Sequence, residues 1–136
     1  MKGYLLKKES INIGHPLVIE SVSPENNNMV VFEDDGETGY FYAAIKNEKG
    51  EVAQILDMVY IYDTGSVDIS KRKTLLSIIW SRNWQQCGLV LGDVCHAVID
   101  FPAQGAYNLA EFPPPNEVWT KQPRKLTKEM VRTFFG

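Results

Sequence analysis

The chain has 136 residues, 44% hydrophobic and 23% charged, with a formal net charge of −3. That length suits one domain, which can bury about two-thirds of its unfolded surface without disulfide or metal staples. The composition excludes overall disorder, and the acidic balance argues against a nucleic-acid binder, whose domain is ordinarily basic.

At the N-terminus Tyr4-Leu5-Leu6 is too short for the apolar core of a secretory signal, and Lys7-Lys8-Glu9 interrupts it. No apolar run reaches the roughly 20 residues of a membrane span, so a cytoplasmic setting is expected. Leu17–Val22 reads as the first strand. Ser23-Pro24-Glu25-Asn26-Asn27-Asn28 is a turn, and Met29–Phe32 is the next strand. Glu33–Glu37 turns the chain into a third strand, Gly39–Lys46. Asn47-Glu48-Lys49-Gly50 is a hairpin loop before a long strand, Glu51–Tyr62. After a turn at Asp63-Thr64-Gly65-Ser66 comes Thr74–Ser81, whose unbroken apolar character predicts burial on both faces. Trp84–Leu91 and Val94–Phe101 form a hairpin around Gly92-Asp93, a pair suited to a type II′ turn.

From Pro102 to Pro123 the sequence reads as irregular, with Pro113-Pro114-Pro115 stiff and extended. Thr127 is the expected N-cap of a final helix over about 127–135. Its apolar stripe is read as Leu126, Met130 and Phe134 with Val131 beside them, leaving Lys128 and Arg132 in solvent. The expected fold is α+β and mostly β: an antiparallel meandering sheet, strongly curved or barrel-like, with a C-terminal helix. A single domain is expected over residues 1–136, with its core at about 17–112 and a Pro-rich connection at 113–123.

Charge is unevenly placed. Between residues 121 and 132, Lys121, Arg124, Lys125, Lys128 and Arg132 stand against Glu129, a net of +4, which leaves −7 for the rest. The basic stretch is read as the wet face of the helix and its approach. Glu33, Asp34, Asp35 and Glu37 form an acidic cluster at a Gly-rich turn. Their spacing is not that of an EF-hand loop, so no metal is expected, and the cluster reads as a solvated turn or a docking surface for a basic partner.

Cys87 and Cys95-His96 invite a metal or nucleophile reading. In a two-residue hairpin Leu91 faces Val94, Val90 faces Cys95 and Leu89 faces His96, which places the two cysteines on opposite faces as small buried hydrophobes. Ala97, Ile99 and Phe101 are expected on the Cys95 face. His96 and Asp100 stand about 13 Å apart along one strand, too far for a catalytic pair. Asp57 and Ser77 are the neighbours His96 would need from other strands. Ser77 and Ser81 lack a nucleophile-elbow context, and Gly36 and Gly39 make no phosphate loop. Tyr40, Phe41, Tyr42, Tyr60 and Tyr62 are read as core packing and not as a base-stacking platform. No catalytic set and no cofactor are expected.

The block Glu33-Asp34-Asp35-Gly36-Glu37-Thr38-Gly39-Tyr40-Phe41-Tyr42, followed by Ile55-Leu56-Asp57, Tyr60-Ile61-Tyr62, Ile79-Trp80-Ser81 and His96–Phe101, resembles a family of small uncharacterised bacterial proteins, domain of unknown function 2251. The resemblance spans about residues 17–112 and leaves the tail after Pro115 outside it. It implies a bacterial, cytoplasmic, stand-alone domain and carries no activity. The leading reading is a non-enzymatic protein-binding domain, in a specific version an immunity-type protein covering a toxin's basic active site. The alternative is a small enzyme or ligand-binding domain gathering His96, Asp57, Ser77 or Trp80 around a pocket. A homodimer through a sheet edge or the basic tail is a third. No nucleic-acid or membrane partner is expected.

Overall fold

Runs rich in Val, Ile, Tyr and Phe become strands because branched and aromatic side chains fill a pleated, half-buried surface, while Gly, Asn, Asp and Pro punctuate them. A computed structural model describes residues 3–136. Its strands are β1 (Tyr4–Asn12), β2 (Leu17–Val22), β3 (Asn28–Asp34), β4 (Thr38–Lys46), β5 (Val52–Asp63), β6 (Lys73–Trp80), β7 (Gln86–Leu91), β8 (Val94–Asp100) and β9 (Gly105–Asn108). One helix, α1 (Lys128–Phe135), follows, and Thr127 caps it by accepting from the amide of Met130.

The strands form two sheets that do not close into a barrel. The first runs β1-β6-β7-β8-β9 and the second β2-β3-β4-β5, with every pairing antiparallel. The mostly-β antiparallel architecture with a C-terminal helix is as expected, and the meander is divided between two layers. β1 and β9 were not foreseen. β1 is an edge strand exposed at nearly every position, and its Lys7-Lys8-Glu9 run hides the apolar alternation. β9 is Gly105-Ala106-Tyr107-Asn108, four residues of weak strand propensity that pair only because β8 offers a ladder.

Alternate residues of the two sheets meet in one core. Ile19, Phe32, Phe41 and Val59 come from the second sheet, and Leu76, Ile78, Trp80, Leu89 and Ile99 from the first. Trp80 is fully buried, and its indole N–H donates across the layers to Ser21 Oγ at 2.9 Å. A buried indole without a partner would be costly, so this bond helps fix the alignment of the sheets.

β6 is buried on both faces only at its C-terminal end, Ile78–Trp80; Leu75 is exposed and Ser77 half-buried, so the apolar run overstates the burial. Its second face belongs to a small cluster of Ile79, Val98 and Phe135 under α1. The helix therefore docks through Phe135, with Leu126, Val131 and Phe134 beside it, and not along Met130. Gly88 makes this possible: a Cβ there would lie 2.9 Å from Phe135 Cε2. Gly88→Ala is expected to lower stability by roughly 1–3 kcal/mol through overpacking. Urea unfolding measures it, and an unchanged midpoint would show that the helix is not seated against β7.

Candidate functional site

Polar side chains inside the fold gather in two places. The first joins the sheets at the β5–β9 corner. Asp57 on β5 is buried and faces inward, because it sits opposite Ala43 on the inner side of β4. Arg124 in the tail is 2% exposed and forks onto it, Nη1 to Oδ2 at 2.9 Å and Nη2 to Oδ1 at 3.0 Å. The guanidinium also donates to the carbonyls of Ala106 and Pro113. Thr120 donates its hydroxyl to Asp57 and accepts the amide of Ala106 at 3.0 Å. Beside this knot Asn108 donates to the carbonyls of Tyr60 and Phe112, at 2.7 and 2.8 Å. Both Asp57 oxygens, the Thr120 hydroxyl and the Asn108 side-chain amide N–H groups are committed to fold contacts, and only the buried Asn108 Oδ1 lacks a partner among the described residues, so the knot is structural.

The second gathering is the acidic turn. Asp34 is 2% exposed and accepts from Tyr62 Oη, from the amide of Gly14 at 2.8 Å and from that of Gly36 at 2.8 Å. Burial and the Asp34 carboxylate push the Tyr62 phenol upward, so it stays a donor. Asp35 accepts the amides of Glu37 and Thr38 at 2.9 and 2.8 Å. The Thr38 and Glu37 amides hold its carboxyl below the usual value. Glu33, half-buried, accepts from Tyr42 Oη at 2.8 Å. Asp34 thus faces inward, while Asp35 and Glu37 are exposed.

His96 lies at a bulge. Val90 pairs with Cys95 as expected, but Leu89 pairs with Ala97, so the register slips by one at His96. The slip returns Ala97, Ile99 and Phe101 to the core face with Cys87, where the uninterrupted hairpin had put them with Cys95. Cys95 packs on the opposite face against the helix cluster, and both cysteines are free. Burial lifts the Cys95 thiol to about 11 and the Cys87 thiol well above its ordinary value. Neither is a ready nucleophile. Burial also lowers the His96 pKa. Of the partners suggested for His96, Asp57 is bound to Arg124 and Thr120, Trp80 fills the core, and Ser77 lies opposite Val90; Asp100, already set aside as too far along the strand, accepts from Gln86 Nε2 at 3.1 Å. Among the described residues no three of His, Cys, Asp and Glu gather as metal ligands.

The outer face of the second sheet is a different kind of surface. Cross-strand pairing lines up Glu20, Val31, Tyr42 and Met58 in one row. Val18, Glu33, Tyr40 and Tyr60 form the next. Tyr40, Tyr42 and Tyr60 are half-buried here and outside the core, contrary to the sequence reading, whereas Phe41 and Tyr62 do enter it. Alternation in Tyr40-Phe41-Tyr42 held the signal, since neighbours in a strand point to opposite faces. Val18 is 56% and Ile55 55% exposed. Between α1 and the first sheet lies a groove of about 520 Å³, lined mainly by apolar groups such as Val90, Cys95, Leu126 and Val131, with exposed Asp93 and Lys128 contributing opposite charges.

The chain belongs to the family described as "uncharacterized protein conserved in bacteria", domain of unknown function 2251, whose profile matches residues 11–135. The match includes the basic tail that the sequence resemblance had left out, in keeping with the place of Arg124 inside the fold. The chain is also similar to an uncharacterized protein of Haemophilus influenzae, 32% identical over 109 residues, which covers 79% of this chain and 65% of the relative. No solved structure matches it. Among the described residues no helix is long and apolar enough to cross a membrane.

Two outcomes follow from this geometry. Arg124→Ala or Asp57→Ala alone is expected to cost about 3–5 kcal/mol, because each strands a buried charge. The pair Asp57→Leu with Arg124→Met should recover much of that loss in urea unfolding, and additive losses would contradict the pairing. His96 titrates lower in the fold than its ordinary 6.5. Between the folded value and 6.5 the unfolded chain binds more protons, so stability must fall as pH drops through that window. His96→Asn should flatten the melting-temperature slope between about pH 7 and pH 5 relative to wild type. An identical slope would place His96 in open solvent.

Proposed function

We propose that this protein is a non-enzymatic protein-binding domain that engages a basic partner, in the manner of an immunity protein covering a toxin's cationic active site. The carrying observation is charge segregation. Residues 17–63, which build the second sheet, hold ten carboxylates against Lys46 and Lys49, a net of −8, leaving +5 for the remainder. No Lys or Arg occurs from Leu17 to Ile45. Such a one-sided field steers an oppositely charged protein and rejects like-charged ones. The absorption of Asp57 and Trp80 into fold contacts favours this reading over an enzyme built around His96. Two free cysteines on opposite sheet faces suit a reducing, cytoplasmic setting.

The test is capture. Tagged protein incubated with bacterial lysate at low ionic strength should retain one basic polypeptide in stoichiometric amount and release it near 0.5 M salt, as expected for a screened contact (Debye length about 3–10 Å between roughly 1 and 0.1 M). Retention of nothing, or of a salt-insensitive acidic protein, would sink the proposal.

A further inference from the structure

Resting on that reading, we infer that the partner is bound on the open outer face of the second sheet, and that this face recognises an extended segment bearing Lys or Arg interleaved with apolar side chains. The two layers of the fold are not covered alike. The first sheet has α1 on its outside, with Phe135 against Ile79 and Val98. The second carries no helix: Val18, Val22 and Ile55 stand exposed on it, although Met29 and Ala44 between Val22 and Ile55 are buried and Phe112 meets Tyr60 edge-on at 6.0 Å.

What it presents is specific. Tyr40 lies directly opposite Tyr60, Tyr42 lies opposite Val31, and the Tyr40 and Tyr42 rings are 6.3 Å apart. Tyrosine supplies broad contact at low entropic cost and an electron-rich face for guanidinium or ammonium groups. Glu33 and Glu20 sit in the same rows, and no Lys or Arg does. The Tyr42 hydroxyl holds the Glu33 carboxylate in place, so less freedom is lost when a cation arrives. Lys46, the only nearby cation in these strands, is tied to the carbonyl of Ser23. Exposed Asp35, Glu37 and Asp63 extend the negative field at one end of the rows. Carboxylates on β2 and β3 beside rings on β4 and β5 match a cationic, partly apolar chain, and mismatch an acidic one or a nucleic acid.

The experiment uses the intact protein and a displayed library of random 12-residue peptides (about 12 residues span the roughly 40 Å of an extended segment). Wild type is panned against a variant carrying Glu20→Lys and Glu33→Lys. Peptides enriched on wild type should carry Lys or Arg with apolar residues and should move backbone amide resonances of β2–β5. They should bind at least tenfold more weakly to Tyr42→Ala, with Val131→Ala in the α1 groove leaving affinity unchanged. Enriched peptides that are acidic, that map to the groove, or that bind all variants alike would overturn the inference, as would the absence of enrichment. A dimer in sedimentation that the Glu20→Lys, Glu33→Lys variant dissolves would assign the face to a second copy instead and likewise overturn it. If a captured basic partner still bound that charge-reversed variant, the binding function would survive and only its location would fail.

Discussion

Arg124 reaches back 67 residues to Asp57, and the shape of the molecule turns on that pairing. A buried ion pair taken alone is a poor bargain, since desolvation offsets much of the Coulomb attraction. Here the guanidinium forks onto both carboxylate oxygens and also meets the carbonyls of Ala106 and Pro113, while Thr120 bridges Asp57 to the Ala106 amide. Bidentate geometry, with four of the guanidinium's hydrogen bonds made inside the fold, is the condition under which such a pair holds a unique arrangement. β5 of one sheet, β9 of the other and the tail are joined at a single point.

That junction explains why the tail belongs to the fold. Between Asn108 and Lys128 there is no regular structure, yet Trp119 and Thr120 are buried and Phe112 lends its carbonyl to Tyr60. Trp119 meets Phe101 edge-on at 6.0 Å, extending the core across the open side of the sandwich. The chain then passes through Leu126 into α1 on the first sheet. With α1 placed there, the outer face of the second sheet carries no helix, and the tail touches it through Phe112 on Tyr60. The acidic surface on which the binding proposal rests is thus shaped by a cation on the far side of the corner.

Legibility followed the range of the forces. β2 through β8 and α1 were readable within a residue or two, because apolar alternation, Gly-Asp turns and an N-cap Thr act over a few positions. The Val90–Cys95 pairing and the separation of the two cysteines were also readable, since Gly92 takes the positive φ, 62°, that the tight turn requires. His96 was misplaced by one bulge, which carries no sequence mark. Of the acidic cluster the clustering itself was legible, but the inward turn of Asp34 was not, because its partners Gly14 and Tyr62 are 20 and 28 residues away. Arg124 looked like any other member of a basic run.

What the amino-acid order determined alone was local: where strands, turns and the final helix fall, and that one half of the chain is acidic. Propensity, periodicity and charge are properties of short windows and survive without a partner. Tertiary structure decided the rest, namely the division into two sheets, the recruitment of β1 and β9, the burial of Arg124 and the outward facing of three tyrosines. These depend on which surfaces meet, and a group's desolvation or exposure is settled only when distant segments close around it or leave it open.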